Sequence, residues 1–131
     1  MELEIATVET DLFGHHEVKP HFINDCCFGE DFAEWLRQRL ANSVGLELSD
    51  PIQEDYGWGL WVTQGNDRFW IALSYVGEGP TETPAQWVIS MARPTSFNIR
   101  RLFSKSDLTT MEALQTRIRQ ELELTDGIRI L

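Results

Sequence analysis

Cysteine is scarce in this sequence, and what there is cannot staple a fold. The 131 residues hold two, Cys26 and Cys27, side by side. Neighbouring cysteines bond to each other only with strain, and two of them cannot make a framework of bridges. A free cysteine behaves as a small apolar residue, and Cys26-Cys27-Phe28 reads that way, so a reducing, cytoplasmic setting is expected. Long apolar runs are missing too. Nothing approaches the roughly 18 residues that a membrane span needs. The opening Met-Glu-Leu-Glu-Ile lacks the basic start and apolar run of a secretion signal. Basic side chains are also few: 11 Lys and Arg face 21 Asp and Glu, for a formal net charge of −10. A general nucleic-acid binder needs a net basic face to displace counterions from phosphate, so neither nucleic acid nor membrane is an expected partner.

The signatures of strong chemistry are absent as well. His15, His16 and His21 lie near Cys26 and Cys27, but no C-x-x-C pair accompanies them. His16-Glu17 is followed by Val-Lys-Pro-His, which is not the H-E-x-x-H of a zinc helix. A Cys–His nucleophile pair from His21 and either cysteine has no third group in view to orient it. Gly57-Trp-Gly59 and Gly77-Glu-Gly79 lack the third glycine and the lysine of a phosphate loop. No G-x-S-x-G occurs. The sequence therefore nominates no catalytic residue, no metal site and no cofactor, and a non-enzymatic role is expected.

What is present fits one domain over 1–131. The charge is unevenly placed. Residues 1–60 carry thirteen acids against Lys19, Arg37 and Arg39, while residues 61–131 carry eight of each sign. Such asymmetry points to a basic partner, which an acidic surface attracts at long range. The same acids also serve as an ordinary solubilising surface. A smaller basic run, Arg93, Arg100, Arg101 and Lys105, reads as the solvated side of a short helix over 97–103.

Period-2 alternation at Leu3, Ile5 and Thr7 predicts a half-buried strand. Val18–Ile23 reads as a second, edge strand because of Pro20. Phe32, Trp35, Leu36 and Leu40 share a face at helical spacing and predict a helix from Glu30 to Asn42. Its acids lead, its arginines trail, and Gly45 is placed to cap it. Tyr56–Thr63 and Arg68–Val76 flank the turn Gln64-Gly65-Asn66-Asp67 and predict a β-hairpin. Gln86–Ala92 adds a third strand. Thr109 and Glu112 have capping-box spacing, so the last long helix is expected to start there and to bury Met111, Leu114, Ile118 and Leu122. Ile128–Leu131 closes with a short strand. The expected class is α+β: an antiparallel sheet, with a central three-stranded meander plus N-terminal strands, and two main helices packed on one face.

Three of the five tryptophans, Trp58, Trp61 and Trp70, fall on the hairpin. Tyr56, Trp58, Leu60 and Val62 point one way from the first strand; Gly57, Gly59, Trp61 and Thr63 point the other. The glycines leave a strip of bare backbone. A helix packed into it is one reading; a shallow groove walled by Trp61 and Trp70 is the other. Glu54 and Asp55 stand at the mouth of this strand. The candidate partner-binding residues are therefore Glu54, Asp55, Tyr56, Trp58, Trp61 and Trp70, an acidic rim beside large aromatic rings.

Two stretches carry a resemblance. Pro20-His-Phe-Ile-Asn-Asp-Cys-Cys-Phe-Gly-Glu-Asp-Phe-Ala-Glu-Trp-Leu36 and Pro51-Ile-Gln-Glu-Asp-Tyr-Gly-Trp-Gly-Leu-Trp61 resemble a family of small, uncharacterised bacterial proteins with the motifs F-G-x-x-F-A-x-W-L and P-x-x-E-D-[YW]-G-W. That resemblance implies a bacterial or phage cytosolic protein and supplies no reaction. In size, acidity and layout the chain is also similar to immunity proteins that neutralise bacterial toxins, and to small acidic secretion chaperones. Three readings follow. The first is an immunity or inhibitor protein that binds a basic toxin or secreted protein, as a monomer or homodimer. The second is a homodimeric acidic chaperone for a secreted protein. The third is a small-ligand module or enzyme using Glu54, Asp55 and Trp58.

Overall fold

A computed structural model describes residues 2–14, 19–23, 27–43, 45–76, 85–93 and 105–131, and among these residues the chain forms a seven-stranded antiparallel sheet and two helices. The elements run β1 (Glu2–Glu9), α1 (Glu30–Leu40), β2 (Leu46–Leu48), β3 (Ile52–Glu54), β4 (Gly57–Gln64), β5 (Asp67–Tyr75), β6 (Gln86–Ala92), α2 (Lys105–Glu123) and β7 (Arg129–Ile130). The strand order is β2-β4-β5-β6-β1-β7, with β3 beside β2 along the same edge of β4.

The meander β4-β5-β6 forms as its sequence directs. Gly65 has φ +60°, the sign a type II′ turn requires at its first central residue. That two-residue turn pairs Gln64 with Asp67, and so places Trp61 opposite Trp70 and Trp58 opposite Leu73. In β6, Trp87, Ile89 and Met91 are buried while the residues between them are half-exposed.

Strand β1 lies inside the sheet, between β6 and β7, and departs from simple alternation. A bulge sits between Glu4 and Ala6, so Ile5 and Ala6 are both buried. The parity then flips: Val8 points inward and Thr7 outward, against the alternation expected from Leu3, Ile5 and Thr7. Arg119 of α2 donates to the carbonyl of Ile5 at 2.7 Å.

Both helices feed one core. Phe32, Ala33, Leu36 and Leu40 of α1 join Met111, Leu114, Ile118 and Leu122 of α2 and the inward residues of β1, β4, β5 and β6. Helix α1 lies against β4 and β2, and α2 against β1 and β7. Three local expectations change. Residues 19–23 form a turn rather than a strand, with Phe22 N–H donating to the Lys19 carbonyl. Helix α1 ends at Leu40, ahead of Gly45, whose φ of +83° serves the turn into β2. Helix α2 is already formed at Lys105, so Thr109 lies inside it rather than at its start; no Gly or Pro between Lys105 and Thr109 interrupts it. The helix expected over 97–103 lies outside the described residues. Among the described residues no helix is long and apolar enough to cross a membrane.

Candidate functional site

The sheet has a second face, turned away from the helices. Parity assigns its occupants from the register. Glu47 of β2, Thr63 of β4 and Arg68 of β5 form one row. Trp61, Trp70 and Ala92 form the next, and Ile52, Gly59, Ala72, Ser90 and Glu4 the third. Glu54, Gly57, Ser74, Val88 and Thr7 follow.

The hairpin tryptophans thus divide by face. Trp58 is 4% exposed, and its Nε1 donates to the Cys27 carbonyl at 2.7 Å. It belongs to the core and offers no surface to a partner, a correction to its place among the candidate binding residues. Trp61 and Trp70 stand on the outer face with ring centroids 5.0 Å apart. Trp70 Nε1 donates to the Tyr56 hydroxyl at 2.6 Å, and Tyr56 is 48% exposed. The Arg68 guanidinium sits 3.9 Å from the Trp61 ring centroid, a cation–π contact. Ile52, opposite Gly59, is exposed on the same face.

The glycine strip is filled by neither a helix nor an open groove. A methyl on Gly59 would come within 2.7 Å of Trp70 Cε2 and 2.5 Å of the Ile71 carbonyl oxygen. Trp70 therefore lies flat across Gly59, a large ring covering backbone that has no side chain of its own. Beside Trp70 a cavity of about 300 Å³ opens, lined by Tyr56, Trp70, Ala72, Ser74, Ser90 and Ala92.

Glu54 and Asp55 are exposed at the end of β3. Glu54 faces the outer sheet surface opposite Gly57, and Asp55 begins the turn. The acids of residues 1–60 do not form one continuous patch either. Glu4 and Glu9 lie on β1 and Glu47 and Glu54 on β2 and β3, with β4, β5 and β6 between. They flank the outer face from both sides. Glu30, Asp31 and Glu34 are elsewhere, on α1. The Arg37 hydrogen bonds hold the Glu34 carboxyl below the usual carboxylate range, against a smaller opposing effect of burial.

Elsewhere the chemistry-bearing residues have structural duties. His21 Nε2 and Glu30 Oε2 are 2.5 Å apart. Arg93 pairs with Asp67 at 3.7 Å. Cys27 is disulfide-bonded rather than the free thiol expected, with Sγ 3.1 Å from the Asp55 carbonyl oxygen. His15, His16, Cys26, Arg100 and Arg101 lie outside the described residues. Among the described residues no group of three or more His, Cys, Asp or Glu could hold a metal ion. The reading of the sequence missed Arg68, Ser74, Ser90 and Glu4; counting the register outward from the two-residue turn would have placed Arg68 beside Trp61. Comparison with family models, with characterised proteins and with solved structures finds no match to this chain.

Proposed function

We infer that this chain is a small acidic protein-binding module of the immunity or inhibitor kind, which neutralises a basic partner protein. One observation carries the reading: the outer sheet face presents an aromatic centre, Tyr56, Trp61 and Trp70, between acids of β1 on one side and of β2 and β3 on the other. Aromatic anchors at the middle of a patch supply most of the energy of a typical interface. Peripheral charge supplies rate and partner choice more than raw affinity. Glu4, Glu47 and Glu54 are exposed and suited to that role.

The chaperone reading requires a homodimer. The experiment is affinity capture from the source cells by the intact chain and by Trp61→Ala and Glu47→Lys/Glu54→Lys variants, at low and high salt. Retention of a basic protein by the parent, weakened by each variant and by salt, supports the module. Failure to retain any protein at low salt sinks it.

A further inference from the structure

The outer face contains its own sample of the ligand. Trp61 and Trp70 form a tilted pair, and the Arg68 guanidinium already occupies the Trp61 side. The Trp70 side is the wall of the 300 Å³ cavity. We propose that this cavity is a subsite for an arginine side chain of the basic partner. The proposal rests on the protein-binding reading and names the residue type that reading engages.

The chemistry of the walls fits a guanidinium. Tyr56 and Trp70 supply aromatic surface, held in place by the Trp70 Nε1 to Tyr56 hydroxyl bond. Ala72 and Ala92 make the floor shallow, and the Ser74 and Ser90 hydroxyls supply acceptors that a fork of N–H donors can reach. Glu4 stands directly across from Ser90 on β1, with Thr7 Oγ1 donating to its Oε1 at 2.6 Å. Glu54 faces Gly57 on the opposite edge. The subsite thus has aromatic surface on one side and serine hydroxyls beside it, and Glu4 and Glu54 stand on the flanking strands β1 and β3. The volume is at the small end for a ligand cavity, the scale of one side chain rather than a cofactor. Lysine fits less well, because an ammonium cannot stack and donate in a plane together.

The test is a titration of the full chain, labelled with nitrogen-15, with the peptide Gly-Arg-Gly-Arg-Gly and with its lysine counterpart. The expected result is saturable binding of the arginine peptide, with the Trp70 indole N–H and the Ser90 amide moving together. The lysine peptide should bind about tenfold more weakly. Ser90→Leu, which fills the cavity from an exposed strand face, should abolish the Trp70 shift; Glu4→Gln should weaken binding severalfold. Because Trp70→Ala uncovers Gly59, Tyr56→Phe serves as the milder wall variant and should also weaken it. Equal binding of the two peptides, an unmoved Trp70 indole, or indifference to Ser90→Leu overturns the proposal. So does a doubled mass in sedimentation that Trp70→Ala returns to one chain, which would make the occupant a second copy. If a protein partner is captured yet ignores Ser90→Leu, the subsite fails and the module stands. If no partner is captured but the arginine peptide seats at Trp70, the subsite stands and the module fails.

Discussion

Replacing Gly59 with alanine tests the geometry on which the outer face depends. The added methyl would meet Trp70 Cε2 at 2.7 Å and the Ile71 carbonyl oxygen at 2.5 Å. The ring can swing away, but the carbonyl belongs to the paired strand and moves only with the backbone. Overpacking of this kind costs about 1–3 kcal/mol. Displacing Trp70 also breaks its bond to Tyr56, worth about 1 kcal/mol. The sum is about 3 kcal/mol, or roughly a 10 °C fall in melting temperature for a chain of this length. Urea denaturation followed by far-ultraviolet circular dichroism measures it. In a Trp70→Ala background the ring clash is gone and the carbonyl clash remains, so Gly59→Ala should cost at least about 1 kcal/mol less there. Gly14→Ala is the control: among the described residues its methyl meets Asp31 Oδ2, at 3.5 Å, and should change stability by no more than about 0.5 kcal/mol. A Gly59→Ala protein as stable as the parent, or a cost that ignores residue 70, would refute the reasoning.

Further outcomes follow from the same contacts. Trp58→Ala should cost about 3–5 kcal/mol and Trp61→Ala no more than about 1–2, since one ring is core and the other surface; thermal melts that rank them the other way would reverse the assignment of faces. Trp58 donates its N–H while the buried Trp87 Nε1 has no partner among the described residues, so Trp58→Phe should be worse than Trp87→Phe by about 1 kcal/mol. Glu34 is held below the usual carboxylate range by Arg37, so its contribution is present above the ordinary glutamate value, about 4.3, and is lost as pH falls through the lowered one. Denaturation curves of Glu34→Gln and the parent should therefore separate at neutral pH and converge in acid; a gap that widens in acid would contradict the pairing. Glu47→Gln with Glu54→Gln should slow association with a basic partner at low salt about severalfold while leaving dissociation nearly unchanged; stopped-flow rates in which only dissociation changes would place these acids inside the contact.

The legible parts of this fold were those decided by near neighbours. The stripes of α1 and α2 and the hairpin turn at Gly65-Asn66 stand in the sequence because periodicity and turn chemistry are local. The bulge at Ile5 is not local: it depends on β6 opposite and on Arg119, which is 114 residues away. The turn at 19–23 likewise depends on Gln53, whose Oε1 accepts the Ile23 N–H. For the site, alternation alone separated Trp58 from Trp61 but could not say which face met the helices. The helices decided it by burying Trp58, Leu60 and Val62. The glycine strip suggested a place for something to approach closely; what approaches Gly59 is the chain's own Trp70. The charge asymmetry suggested one acidic side, whereas strand order places the sheet acids on both sides of the meander, on β1 and on β2 and β3.

The tryptophan indole N–H signals of the chain bound to its captured partner test the binding face most directly. The five tryptophans report from different places: Trp61 and Trp70 from the outer face, Trp58 and Trp87 from the core, and Trp35 from α1 beside Arg39. The expected result is large shifts at Trp61 and Trp70 with the other three nearly still. A shift at Trp35 with Trp61 and Trp70 unmoved would put the partner on the helices and contradict the outer face as the site.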